Sequence, residues 1–210
     1  MPADAEIDSA EIDAVTIDAF GTLVELRDPV GSLARHLPGH EPAAIEQAFR
    51  AEAAHYVANS HRARDADGLA ELYGECAAVF NGTLGSALTP DEYVGALDAE
   101  YAVLPGVPDA LARLRSLGLE LAVVGNWDRR LPEHLERLGI APFFSAVVSS
   151  ADAGAAKPDP RPFLLALERL GIPPYRALHV GDSPADDEGA RAAGLRFAPA
   201  PLAGFAERLG

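Results

Sequence analysis

At 210 residues, with 49% hydrophobic and 23% charged side chains, the chain can bury a substantial core and has a globular rather than disordered composition. Its 32 acidic residues against 17 basic ones leave a formal net charge of −15, which argues against binding to nucleic-acid backbones or anionic membranes. A lone cysteine, Cys76, excludes an internal disulfide and a thiolate metal cluster.

No apolar run approaches the roughly 20 residues of a membrane span. The first thirteen residues carry five acids and no base, the reverse of a secretory or transit leader, so a soluble, cytoplasmic protein with an acidic tail over 1–10 is expected. Lys157 is the only lysine among the basic residues, so it stands where arginine does not.

In chain order, the β-branched run 14–17 predicts a buried strand that ends at Asp18-Ala-Phe-Gly-Thr22. From 28 to 103 no comparable strand signal is found. Helical stretches fall instead at 41–59, 66–80 and 89–101, separated by Pro38-Gly39 and Asn81-Gly82. Thr89-Pro-Asp-Glu92 has the cap, proline and acids of a helix start.

Beyond Gly106 strands and helices alternate. Helices are expected at 107–117, 132–138, 160–170 and 184–193, and strands at 119–124, 145–148, 177–180 and 195–198. Glycine closes each helix, and the alternation implies a parallel, doubly wound sheet. The first strand must join that sheet. The division is then an α/β core of residues 1–25 and 104–210 and an inserted helical cap domain over 26–103.

Ligands of such sheets bind beyond the carboxyl ends of the strands. There the first four strands deliver Asp18, Asn126, Lys157 and Asp182, with Asp186 and Asp187 within a turn. Each has a bland reading. Asp18 fits a polar turn, Asn126 a loop cap, Lys157 a solvated loop, and 181–187 an ordinary helix start. Jointly the bland readings fail, because four turns would have to place polar groups at one sheet edge by chance. Carboxylates crowded around one lysine are unstable unless a cation or a strong pKa shift relieves the repulsion, and a hard divalent ion such as Mg²⁺ does so with oxygen ligands.

These residues resemble the haloacid dehalogenase superfamily, in the subclass whose helical cap follows the first motif. Val15 to Leu23, Leu121 to Asn126, Lys157-Pro-Asp-Pro160 and Val180 to Asp187 are similar to its four motifs in order. The resemblance implies a Rossmann-like core and a Mg²⁺-dependent phosphatase acting on a small phosphorylated metabolite. Asp18 would be the nucleophile. The metal would be held by Asp18, Asp182 and the backbone carbonyl of Phe20, and Lys157 would pair with Asp18 and the phosphoryl oxygens. Asp187 would orient the lysine or complete the outer metal shell, with Thr22 and Asn126 as hydrogen-bonding supports.

Two departures stand out. The phosphatases carry a second Asp where this chain has Phe20, and Gly125 precedes Asn126 where Ser or Thr is usual. Asp128, His55, Tyr56 and His61 are candidate replacements for the missing proton carrier. Asp-Ala-aromatic-Gly-Thr is also the order of the metal-independent 2-haloacid dehalogenases, whose chemistry adds a cap arginine for which Arg27, Arg35 and Arg50 are candidates. The intact Gly181-Asp182 favours phosphorus. A non-catalytic relic retaining Mg²⁺ or phosphate binding is the third reading. Monomer and homodimer are both compatible with the sequence.

Overall fold

The computed structural model describes residues 11–97 and 100–209, so the acidic segment 1–10 lies outside the described residues. Its centre is β1 (Ala14–Ile17), whose four residues are all buried. Helical layers cover both faces of this strand, so its sequence need not alternate in polarity. On one side it pairs in parallel with β4 (Glu120–Gly125), and β4 with β5 (Ala146–Ser149); on the other with β6 (Ala177–Gly181), and β6 with β7 (Arg196–Pro199). The sheet order is β5-β4-β1-β6-β7, a doubly wound α/β arrangement.

Alternate strand residues serve opposite layers. Val15, Ile17, Val123 and Val180 pack with α5 (Val107–Ser116), α6 (Leu131–Arg137) and α10 (Leu202–Arg208) through Leu111, Leu114, Leu135 and Phe205. Ala14, Ala122, Val124 and Val148 meet Phe163 and Leu167 of α8 (Arg161–Leu170) and Ala190 of α9 (Pro184–Ala192). A short helix, α7 (Ser150–Ala153), follows β5.

Between β1 and β4 the chain leaves and returns through an antiparallel pair, β2 (Val24–Leu26) and β3 (Tyr101–Val103), with Val24 opposite Val103. This corrects the expectation of a strand-free stretch: β3 occupies the end of the helix expected at 89–101. Between the two strands lie α1 (Pro29–His36), α2 (Pro42–Asn59), α3 (Ala66–Leu84) and α4 (Pro90–Leu97), with their own core of Leu33, Ile45, Leu72, Phe80 and Tyr93.

The expected break at Asn81-Gly82 is also corrected, because α3 runs on to Leu84 and stops at Gly85. The Asn81 side chain does not break the helix. It donates to Leu88 O at 2.8 Å and accepts from Leu88 N at 3.0 Å, fastening the turn that follows.

Candidate active site

Register places the site. Ile17 is level with Val123 on one neighbour and Val180 on the other, so the residues that follow each strand emerge together. Asp18 leaves β1 with its N–H donated to Val180 O at 2.9 Å. Lys157 arrives on the loop between α7 and α8. Its ammonium, almost fully buried, donates to Asp18 Oδ1, to Asp186 Oδ1 at 2.6 Å and to Val124 O at 3.0 Å. Asn126 brackets the lysine's own backbone, accepting from Lys157 N at 2.7 Å and donating to Lys157 O at 3.2 Å.

Two close approaches shape the carboxylate cluster. Gly21, at φ +87°, lies against Asp182, and a Cβ there would come within 2.1 Å of Asp182 Oδ2. At Gly181 a Cβ would meet Asp186 Cγ at 2.4 Å, so only glycine lets that side chain fold back toward the lysine. Ser183 N and Oγ donate to Asp186 Oδ2 at 3.1 and 2.5 Å. His179 Nε2 lies 3.0 Å from Asp186 Oδ1, and His179 Nδ1 lies 2.9 Å from Thr16 Oγ1.

Burial pushes the His179 pKa down to about 4, helped by the Lys157 charge. The imidazole is therefore neutral at pH 7. Donating to the carboxylate from Nε2 requires Nδ1 to accept from the Thr16 hydroxyl. Burial would raise the Asp186 carboxyl, but the His179 hydrogen bond and the Lys157 charge outweigh it and hold it well below the usual range. Asp18 is pushed up to about 6 by burial; Lys157 opposes this, while Asp186 and Asp182 add to it. Burial works to lower the Lys157 pKa, but Asp18 and Asp186 hold it above the ordinary value.

The sequence-level site residues therefore divide. Asp18, Asn126, Lys157 and Asp182 come together. Thr22 is buried close by in sequence, its Oγ1 without a hydrogen-bond partner among the described residues. Phe20 holds the place of the second acid with half of its surface exposed.

Asp187 is a correction: it forms an i,i+4 pair with Arg191 on the outer face of α9, and the acid on the lysine is Asp186. One residue turns a helix by about 100°, so only one of the two neighbours can face inward. Asp128 is corrected as a proton carrier, being fully buried and bonded to Tyr56, Tyr73 and Arg130. His55 is held by Glu75 at 2.9 Å, Arg50 by Glu46 at 2.5 Å, and Arg35 donates to Ser32 at 2.8 Å. His179 escaped the sequence reading, although a histidine inside an apolar strand was the available signal.

Oxygen atoms of Asp18, Asp182 and Asp186 lie within 4.8 Å of one another. Three carboxylates against one ammonium leave the cluster with excess negative charge, and an all-oxygen donor set suits a hard cation. The residues present fit Mg²⁺.

The model of the haloacid dehalogenase-like hydrolase family matches residues 12–194, and the chain belongs to that family and is a hydrolase of it. It is 36% identical over 205 residues to human haloacid dehalogenase-like hydrolase domain-containing protein 3, spanning 88% of this chain and 80% of that one. It is 42% identical over 106 residues to the phosphoglycolate phosphatase of Escherichia coli K12, spanning 50% of this chain and 42% of the enzyme. Among solved structures, L-2-haloacid dehalogenase from Xanthobacter autotrophicus with chloropropionic acid covalently bound superposes with a TM-score of 0.74. It is 26% identical, over 90% of this chain and 77% of that one. Among the described residues no helix is long and apolar enough to cross a membrane.

Proposed function

We propose that the protein is a Mg²⁺-dependent phosphatase for a small phosphorylated metabolite, with Asp18 as nucleophile and the block α1–α4 as a cap over the site. The observation that carries this reading is the Asp182 carboxylate beside Asp18. A second acid next to an anionic nucleophile is electrostatically unfavourable unless a cation joins them.

Asp18 and Asp182 would hold the ion, with the Phe20 backbone carbonyl as a further ligand. When bound, Mg²⁺ supplies charge neutralisation between an anionic nucleophile and an anionic substrate. The Asp18 carboxylate attacks phosphorus, the bond to the leaving oxygen breaks, and an aspartyl-phosphate forms. Water then attacks that phosphorus, releasing phosphate and restoring the carboxylate. Lys157, fixed by Asp186 and the Val124 carbonyl, stays beside Asp18 as a compact charge for the phosphoryl oxygens.

With Phe20 at the usual acid position, the leaving group is protonated by no side chain there, which favours aryl or acyl phosphates over alkyl esters. Metal-dependent hydrolysis of p-nitrophenyl phosphate, abolished by EDTA and by Asp18→Asn, is the expected result.

A second reading rests on Phe20 itself and on the superposition with the dehalogenase. In that reading Asp18 displaces halide from carbon and the resulting ester is hydrolysed. Chloride release from 2-chloropropionate in the presence of chelator would favour it over the phosphatase.

A further inference from the structure

The loop after β4 carries two polar residues with different partners. Asn126 grips the Lys157 backbone from both sides. Two residues on, Asp128 reaches into the helical block. Its Oδ2 accepts from Tyr56 Oη of α2 at 2.9 Å and from Tyr73 Oη of α3 at 3.4 Å. The same Tyr56 oxygen accepts from Asp128 N at 3.1 Å, so one hydroxyl clasps both the side chain and the backbone of residue 128.

Arg130 completes the arrangement. It bonds to Asp128 Oδ1 through its backbone N at 2.8 Å and its Nε at 3.2 Å, and its guanidinium stacks 5.0 Å from the Tyr73 ring. Asp128 is fully buried. A carboxylate so placed is costly unless every one of these donors is in position. The loop conformation therefore depends on the block being seated.

We propose that Asp128 is a positioning residue, which registers the seating of the helical block through Tyr56 and Tyr73 and, through Asn126, holds Lys157 on Asp18 and Asp186. The path is short: block, Asp128, Trp127, Asn126, lysine. The cation of the site is thereby set by a contact outside it. The assignment does not depend on whether phosphorus or carbon is attacked, since Lys157 pairs with the Asp18 nucleophile in either chemistry.

The chain suits a direct test, because its single lysine gives a single side-chain ammonium signal. Protein labelled with ¹⁵Nζ-lysine is examined by NMR, without substrate or metal, for the Lys157 ammonium shift and its proton exchange rate. Tyr56→Phe and Asp128→Asn are compared with Leu33→Ala. That control loosens the block's own core, where Leu33 of α1 is fully buried, and removes no hydrogen bond to the Asn126 loop.

The expected result is exchange at least tenfold faster in Tyr56→Phe and Asp128→Asn, with a shift toward that of a solvated lysine. Leu33→Ala should keep the parental signal even where its melting temperature falls equally. If Asp128→Asn does not fold, Tyr56→Phe decides alone. An unchanged ammonium in a folded Tyr56→Phe protein, or a change of the same size in Leu33→Ala, would overturn the proposal. Either outcome leaves the phosphatase reading to its own assay.

Discussion

Asp186 and Asp187 are neighbours in the chain with opposite surroundings, and that contrast carries the first prediction. Asp186 is buried between Lys157, His179 and Ser183, whereas the Asp187 side chain meets Arg191 in an exposed i,i+4 pair. Asp186→Asn leaves Lys157 its bond to Asp18 but takes a charged acceptor from buried donors of Lys157, His179 and Ser183, so it should destabilise the protein by about 1–3 kcal/mol. Asp187→Asn should cost about 0.3–0.5 kcal/mol. Urea unfolding of the two variants measures the difference, and equal effects would contradict the assignment. At Phe20 the prediction is a gain: Phe20→Asp should raise turnover of an alkyl phosphate by about 10²–10⁴-fold in kcat, with a smaller gain on p-nitrophenyl phosphate, whose leaving group needs no acid. The four motif positions could be read from the sequence because each follows a strand or its loop at the same sheet edge. Which of two adjacent acids faces inward could not, because it depends on the phase of α9 at its first turn.

At the level of elements, β6 and the turn after it set the geometry of the acid cluster. Gly181 ends the strand, and any side chain there would displace Asp186. Gly181→Ala is therefore expected to weaken divalent-cation binding and to perturb the Lys157 ammonium signal while the sheet stays folded, as circular dichroism and a Mg²⁺ titration would show. The five-stranded sheet was legible because its strands are continuous apolar runs closed by Gly or by motif residues. The β2–β3 pair was not. Three residues are too few to show a period, and Tyr101–Val103 continues the polarity of the helical stretch before it. Helix α1 also escaped the sequence reading. It is only eight residues long, and its start depends on Asp28 at φ 41° accepting from Gly31 N at 3.0 Å.

For the whole molecule, three apolar clusters are separate: one on each face of the sheet and a third inside α1–α4. The third holds Glu52, buried beside Cys76 and Tyr93, whose pKa burial pushes up. Between the unfolded and folded pKa values the native state binds more protons than the unfolded one. Stability from this group is therefore full at low pH and is lost as pH rises through the folded value. Glu52→Gln should be more stable than the parent at pH 7, with the difference shrinking toward pH 4; thermal melts across that range read it, and a constant difference would contradict the burial argument. The central claim is that Asp18, Lys157 and Asp182 form a phosphoryl-transfer site, and titration with beryllofluoride tests it most directly, because this group mimics a phosphoryl on a carboxylate. Mg²⁺-dependent capture at Asp18, seen by ¹⁹F NMR and lost in Asp18→Asn, is the predicted result. A folded protein that captures none with Mg²⁺ present, yet releases chloride from 2-chloropropionate in chelator, would contradict it.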